Sequence, residues 1–333
     1  MKSKKIALIG GAGFIGHNLA IHLKKMGHTP IVIDSLSVNN VLSFTDKEIS
    51  NRKLYWSILN QRIDFLHDND IPMNIEDGRN YNSMCMLLDH HKPDVIIHLA
   101  AVSHANKSNK DPHTTFDHTL RTLENTLDIA KNTGSHVIYF SSSMAYGQFD
   151  GKTVTEDSLC NPLGIYGTLK YAGELIVKSY HQVFDIPYTI IRPSALYGER
   201  CVSRRVGQIF IENAVQGLDI YIQGDGSDKL DFTYIEDLVH GISLVIDNEN
   251  AINQTFNMTY GEAKTIGQMA EILKEHFNGI KINYTPKDKL TPDRGTLSVD
   301  KAKNLLGYEP KNSLEIGYPK YIKWYKNFWK QFA

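Results

Sequence analysis

The chain has 333 residues, and its 36 Lys plus Arg nearly balance its 37 Asp plus Glu, for a formal charge of −1. That balance excludes the basic footprint of a protein that tracks nucleic-acid phosphates, so a small-molecule partner is expected. No apolar run approaches the ~18 residues of a membrane span, and Cys85, Cys160 and Cys201 are too scattered for a disulfide framework or a zinc spacing; a soluble, cytoplasmic protein in a reducing compartment follows.

The start, "MKSKKIALIGG", carries basic residues before an apolar run that glycines end after a few positions, which reads as a first strand and not a leader. A helical pattern over 14–26 follows, then the strand "TPIVID". The long connection after Asp34 has helical spacing over 54–66 and is read as an inserted helix. Next come "DVIIHLA" with a helix over 114–131, "HVIYFSS" with a helix over 162–184, and "YTIIRPS". Strands alternating with helices predict an α/β fold, a doubly wound, Rossmann-like parallel sheet. Beyond Ala195 the pattern loosens, with turn signals at "YGER", "QGDGSD" and "TPDRG". No linker interrupts the chain, so the expectation is a nucleotide-binding domain over 1–190, to which 232–258 returns, and a smaller substrate-binding domain made mainly by 191–333.

Ligands of such sheets sit at the carboxyl ends of the strands. That rule selects Gly10 to Gly16, Asp34, Ala100 to His104 (with Ala101 and Ser103 among them), Ser141 to Ser143, and Pro193 to Ala195. In "GGAGFIG", Gly10, Gly13 and Gly16 have the spacing for a tight turn, a close approach to a pyrophosphate and helix packing, with Phe14 and Ile15 at the helix start. Asp34, about 20 residues on, is placed to accept the ribose hydroxyls of NAD, and its charge opposes a 2′-phosphate. The predicted cofactor is therefore NAD.

"YGTLK" puts Tyr166 and Lys170 at i and i+4, on one helix face, where an ammonium favours loss of the phenolic proton. "YGEAK", with Tyr260 and Lys264, repeats the pattern without the strand context and is taken as a chance match. A hydroxyl among the serines that end the preceding strand would share the proton of a substrate alcohol with Tyr166. The chain here resembles the extended short-chain dehydrogenase/reductase family, its nucleotide-sugar epimerases and dehydratases in particular. The resemblance runs through "GGAGFIG", "EDGRNY", "DVIIHLAAVSH", "SSSMAYG", "PLGIYGTLK", "IIRPSALYGER", "GDGSDKLDFTYIEDL" and "LGYEP".

The resemblance implies Tyr166 as the base, Lys170 as its partner on the nicotinamide ribose, Ser142, four positions before Tyr146, as the assisting hydroxyl, and Asp77 as an adenine contact. It implies a nucleotide-diphosphate sugar as substrate, oxidised at C4, and a homodimer built on the segments 114–131 and 162–184. Family dehydratases and decarboxylases carry an acid after the catalytic serine or threonine, whereas this chain has Ser143, Met144 and Ala145, which disfavours dehydration. Other departures are Ala195 for an asparagine, Leu230 for a phosphate-holding arginine and Thr119 for an asparagine; Arg294 matches a second phosphate arginine, and Arg204 and Arg205 are additional cations that compensate or form a solvated turn. With Ser103 and His104 these complete the expected substrate side. The reading is a 4-epimerase that uses NAD transiently; the alternatives are a 4-dehydrogenase or 4-keto-reductase with net redox, a 4,6-dehydratase, and a non-catalytic NAD-binding scaffold or sensor. The remaining histidines lack ligand spacing, so no metal is expected. The stripe of Tyr318, Tyr321, Tyr325, Phe328 and Phe332 is read as packing against the second domain rather than lying on a membrane.

Overall fold

The computed structural model describes residues 2–45, 50–103, 105–287 and 292–331. The first half alternates as the sequence predicts: β1 (Lys5–Ile9), α1 (Phe14–Lys25), β2 (Thr29–Asp34), α2 (Arg52–Asp68), β3 (Met73–Ile75), α3 (Tyr81–His91), β4 (Val95–His98), α4 (Ala105–Lys110), α5 (Pro112–Phe116), α6 (Thr122–Thr133), β5 (His136–Phe140), α7 (Gly164–Phe184) and β6 (Tyr188–Arg192). The second half holds β7 (Leu196–Tyr197), α8 (Val206–Val215), β8 (Ile220–Gln223), β9 (Lys229–Leu230), β10 (Thr233–Tyr234), α9 (Ile235–Asp247), β11 (Gln254–Asn257), β12 (Lys264–Thr265), α10 (Ile266–His276), β13 (Ile282–Thr285), α11 (Asp300–Leu306) and α12 (Leu314–Trp329).

Seven strands form one sheet in the order β11-β6-β5-β4-β1-β2-β3, and every pairing in it is parallel. Ile6, Ala7, Leu8 and Ile9 of β1 are at most 1% exposed, as a strand covered on both faces requires. One face buries Leu8, Val32 and Phe256 against Leu19, Leu238 and Tyr308; the other buries Ile9, Ile96 and Tyr139 against Met84, Leu123 and Val177. Register aligns Ile9 with both Ile33 and His98, so the loops after these strands leave at one level, where the ligand edge was expected.

A further core lies beyond that edge and contains Phe210, Ile222, Met269, Tyr318, Tyr321 and Tyr325. Leu54, Tyr55, Ile58 and Leu59 of α2 belong to it, so the inserted helix packs its apolar stripe into this core. Phe328 packs there too, while Phe332 lies outside the described residues.

Two expectations needed correction. The helix expected over 114–131 is split by a π-helical turn over Asp117–Arg121, within which Thr119 is buried with its hydroxyl unpartnered. The helix expected from Pro162 begins at Gly164, whose φ of +72° is a left-handed start for which glycine is suited. Among the described residues no helix is long and apolar enough to cross a membrane.

Candidate active site

The glycine loop between β1 and α1 is shaped by contact. Gly10 has φ +82°, and a Cβ there would lie 2.8 Å from the Ala100 backbone nitrogen; one at Gly16 would lie 2.4 Å from the Gly11 carbonyl oxygen. At Gly13 only the Gly10 carbonyl comes near, at 3.1 Å, and the residue faces an open cleft. No side chain caps α1, so its first N–H groups and the positive end of its dipole are left to an anion. Asp34 closes the cleft on the β2 side. Its carboxylate accepts the Ala12 and Leu36 N–H groups at 2.9 and 2.7 Å; burial pushes its pKa up and these bonds oppose that shift.

Gly10, Gly13, Phe14, Ile15, Gly16, Asp34, Asp77, Ala100 and Ala101 all line this cleft. Asp77 is tied to Arg79 at 2.7 Å, which holds its carboxyl below the usual range. The uncapped start of α1, the Asp34 carboxylate in the cleft lining and the backbone-tight glycines suit a dinucleotide such as NAD.

A cavity of about 580 Å³ adjoins the cleft and shares Ile15, Leu99, Ala101, Ser103, Leu196 and Arg205 with it. Tyr166, Lys170, Ser142, Ser143, Met144, Pro193, Arg204 and Arg294 line the cavity; Pro193, expected on the cofactor, is found here. Tyr166, Lys170 and Glu174 follow one another at i, i+4 and i+8 on α7. Lys170 is 3% exposed and donates from Nζ to the Phe140 carbonyl at 2.7 Å. Burial drives its pKa down to about 7, against the pull of the Glu174 charge. Glu174 itself accepts from Arg192 at 2.9 and 2.6 Å and from the Ser141 hydroxyl.

The serines differ in their surroundings. Both Ser141 and Ser142 belong to the cavity lining, but the Ser141 hydroxyl donates to Glu174 of the Glu174–Arg192 pair, whereas among the described residues Ser142 Oγ accepts only the Met144 N–H, at 3.1 Å. Gly167 lets α7 press on this turn, since a Cβ there would lie 2.7 Å from the Met144 carbonyl oxygen. Arg294 reaches Ser143 Oγ and Met144 Sδ, stands 4.7 Å over the Phe149 ring, and keeps its Nε buried without a partner. Burial lowers its pKa to about 10.

Arg204 and Arg205 are exposed yet line the cavity. Arg204 is paired at 3.3 Å with buried Glu212, and Arg205 donates to the Ser103 carbonyl at 3.0 Å. Ala195, at φ +38°, and Leu230 also line it, so these replacements leave apolar surface. Lys229 beside Leu230 is a further cation in the lining. His104 lies outside the described residues. The second Tyr/Lys pattern forms no helix, and Lys264 is bound to Glu262 and Glu315.

Two residues escaped sequence reasoning. Glu174 was detectable, being one further turn along the face of Tyr166 and Lys170. Arg62, in the cleft lining, was not: "NQRIDF" reads as an ordinary polar helix face.

Residues 6–259 match a family described as the NAD dependent epimerase/dehydratase family. A relative from Bacillus subtilis, called an uncharacterized UDP-glucose epimerase, is 30% identical over 94% of this chain and 95% of its own length. UDP-glucuronic acid decarboxylase 2 of Arabidopsis thaliana is 27% identical over 97% of this chain and 68% of its own. The crystal structure of UDP-glucuronic acid 4-epimerase from Bacillus cereus, in complex with UDP-glucuronic acid and NAD, superposes with a TM-score of 0.87 at 27% identity, covering 97% of this chain and 99% of that one.

Proposed function

This chain belongs to the NAD dependent epimerase/dehydratase family, and from that footing we propose that it is a 4-epimerase of a nucleotide-diphosphate sugar, with Tyr166, Lys170 and Ser142 as its catalytic residues. The observation that supports the reading is the cavity lining: Tyr166, Lys170 and Ser142 all line the cavity that adjoins the cofactor cleft, and the turn after Ser142 offers Ser143, Met144 and Ala145 in place of an acid. Asp228 is the acid among the described lining residues, and it is bound to Lys287 at 2.6 Å. Moving a C5 proton or assisting a leaving group calls for an acid or base close to the sugar; alcohol oxidation and return need only the base and its hydroxyl partner.

NAD⁺, held in the cleft by the glycine loop and Asp34, would supply a reversible acceptor for the hydride of sugar carbon 4. Tyr166 takes the C4 hydroxyl proton through its phenolic oxygen, Ser142 shares that proton by hydrogen bonding, and Lys170, one helical turn along α7, favours the phenolate when it is itself protonated. The epimer would form when the hydride is given back to the other face of the 4-keto sugar while Tyr166 returns its proton to the C4 oxygen, so that both leave and both return and there is no net redox change. Arg294 and Arg205 are assigned to the diphosphate. UDP is favoured as the nucleotide by the relatives, whose named substrates are UDP sugars.

Incubation with UDP-glucose, UDP-galactose and UDP-glucuronic acid, followed by NMR of the products, tests the reading. The expected outcome is a C4 epimer without stoichiometric NADH, abolished in Tyr166→Phe while NAD stays bound. Stoichiometric NADH would replace it with a dehydrogenase, and full activity in Tyr166→Phe would remove Tyr166 as the base. We also assign homodimerisation to the α5–α6 and α7 surface, where Phe116, Leu163, Leu175, Val183 and Phe184 are exposed. Light scattering of a monomer at micromolar concentration would overturn that assignment.

A further inference from the structure

Arg62 occupies a core position on α2. Tyr55, Ile58, Leu59, Arg62 and Leu66 follow the spacing of one buried stripe, and Arg62 is 1% exposed. Its Nε and Nη2 both donate to the Arg200 carbonyl, the former at 3.0 Å. Among the described residues it joins no ion pair, and Nη1 has no hydrogen-bond acceptor. Burying a cation costs several kcal/mol unless it is paired, and two bonds to one carbonyl are a partial answer. The side chain nevertheless lines the nucleotide cleft, together with Ile15, Asp34, Ser35 and Val38.

The guanidinium is held there through the Arg200 carbonyl. Arg200, whose carbonyl it caps, has φ +65° and donates through its own guanidinium to His17 Nε2 at 3.0 Å and Asn18 Oδ1 at 3.1 Å. His17 in turn contacts the Gly13 carbonyl through Nδ1 at 2.8 Å. Arg62 is thus braced against the glycine loop, and the Asp34 charge acts on it across the cleft. Such bracing fixes a donor in place before a ligand arrives.

We propose that Arg62 is a cofactor-binding residue whose Nη1 donates to an oxygen of the dinucleotide between its adenosine ribose and its diphosphate. The assignment rests on the reading of this cleft as the NAD site. It adds a recognition element outside the glycine loop and β2, supplied by the inserted helix.

The test uses the full chain stripped of nucleotide, as wild type, Arg62→Met and Arg62→Gln, with calorimetric titration of NAD⁺, ADP, adenosine and UDP. Loss of a charge-assisted hydrogen bond predicts NAD⁺ binding about 10- to 100-fold weaker in both variants, with UDP binding unchanged. A smaller preference for ADP over adenosine in the variants would place the contact on the diphosphate; an equal loss for adenosine would place it on the ribose. Should Arg62→Met not fold, Arg62→Gln keeps a donor for the Arg200 carbonyl and decides the matter. Unchanged NAD⁺ affinity in a folded variant overturns the proposal, as does an equal loss of UDP affinity, which would make Arg62 a packing residue. A wild type that binds no NAD⁺ would overturn the cofactor site itself, an outcome separate from failure at Arg62.

Discussion

Lys170 and Glu174 lie one helical turn apart on α7, but the Glu174 carboxylate is taken by Arg192 and Ser141, and the direct acceptor of the Lys170 ammonium is the Phe140 carbonyl. The cation beneath Tyr166 is therefore under-compensated, which is why burial brings its pKa down to about 7 from 10.5. In the unfolded chain the proton stays on up to the ordinary value; in the fold it leaves near 7. Between the two the unfolded state binds more protons, so the Lys170 contribution to stability improves as pH rises through this window and is at its worst below it. Lys170→Met removes the effect. In the nucleotide-free protein the stability of the variant relative to wild type is expected to be highest near pH 6 and to decline by a few kcal/mol, on the order of 1.4 per pKa unit, toward pH 10. Urea unfolding at pH 6, 8 and 10 measures it, and a difference that does not change with pH would show that Lys170 has no depressed pKa.

Ser141 and Ser142 are adjacent and chemically identical, yet opposite losses are expected from them. Ser141→Ala removes a donor from the buried Glu174–Arg192 pair and is expected to lower stability by about 1–3 kcal/mol with turnover kept within a few-fold. Ser142→Ala removes a hydroxyl from the cavity wall and a cap from the following turn; its loss of stability is about 1 kcal/mol, but turnover falls by about 10²-fold or more. Parallel measurement of urea midpoint and kcat separates the two. Equal turnover in both variants would take the proton-sharing role away from Ser142.

Gly13 and Gly16 should likewise part company. A Cβ at Gly16 runs into backbone at 2.4 Å, and backbone has nowhere to go, so Gly16→Ala is expected to lose several kcal/mol or fail to fold. At Gly13 φ is −71° and the 3.1 Å contact asks for a shift of a few tenths of an ångström. Gly13→Ala is expected to fold with near-normal stability and, on the reading of this cleft as the NAD site, to lose NAD⁺ affinity, because its methyl group would stand in the open cleft that the diphosphate would approach. Circular dichroism melting and NAD⁺ titration read both, and normal NAD⁺ binding by Gly13→Ala would place the diphosphate elsewhere.

These contrasts show what one-dimensional pattern can carry. The sheet was legible because strands buried on both faces must be apolar throughout, and the cofactor end because backbone approach demands glycine at fixed spacings. Tyr166 and Lys170 were legible because helical periodicity projects them onto one face. Arg62 was not, since a charged residue on an amphipathic helix is ordinarily solvated, and its burial depends on packing against Arg200, 138 positions away. For the same reason the sequence reading treated Arg204 and Arg205 as equivalent, although the fold gives Arg204 a buried acid partner and turns Arg205 to a backbone carbonyl. Long-range partners decide the state of a charge, and no local pattern encodes them.

Arg294 brings the same principle to the substrate side. Its Nε is buried without a partner and its contacts are a serine hydroxyl, a thioether and an aromatic face, none of which is an anion. A guanidinium kept in this state is held ready for an anionic ligand at the expense of the free protein. Arg294→Met, which keeps length and packs on Phe149, is therefore expected to leave the stability of the ligand-free protein unchanged or raise it by about 1 kcal/mol. The same change is expected to weaken UDP binding by about 10- to 100-fold, while NAD⁺ affinity, which depends on the neighbouring cleft, is retained. A variant that loses more than about 2 kcal/mol of stability and binds UDP normally would make Arg294 a structural residue, and the diphosphate would then have to rest on other cations of the cavity wall, of which Arg205 and Lys229 are not paired with a buried acid as Arg204 is.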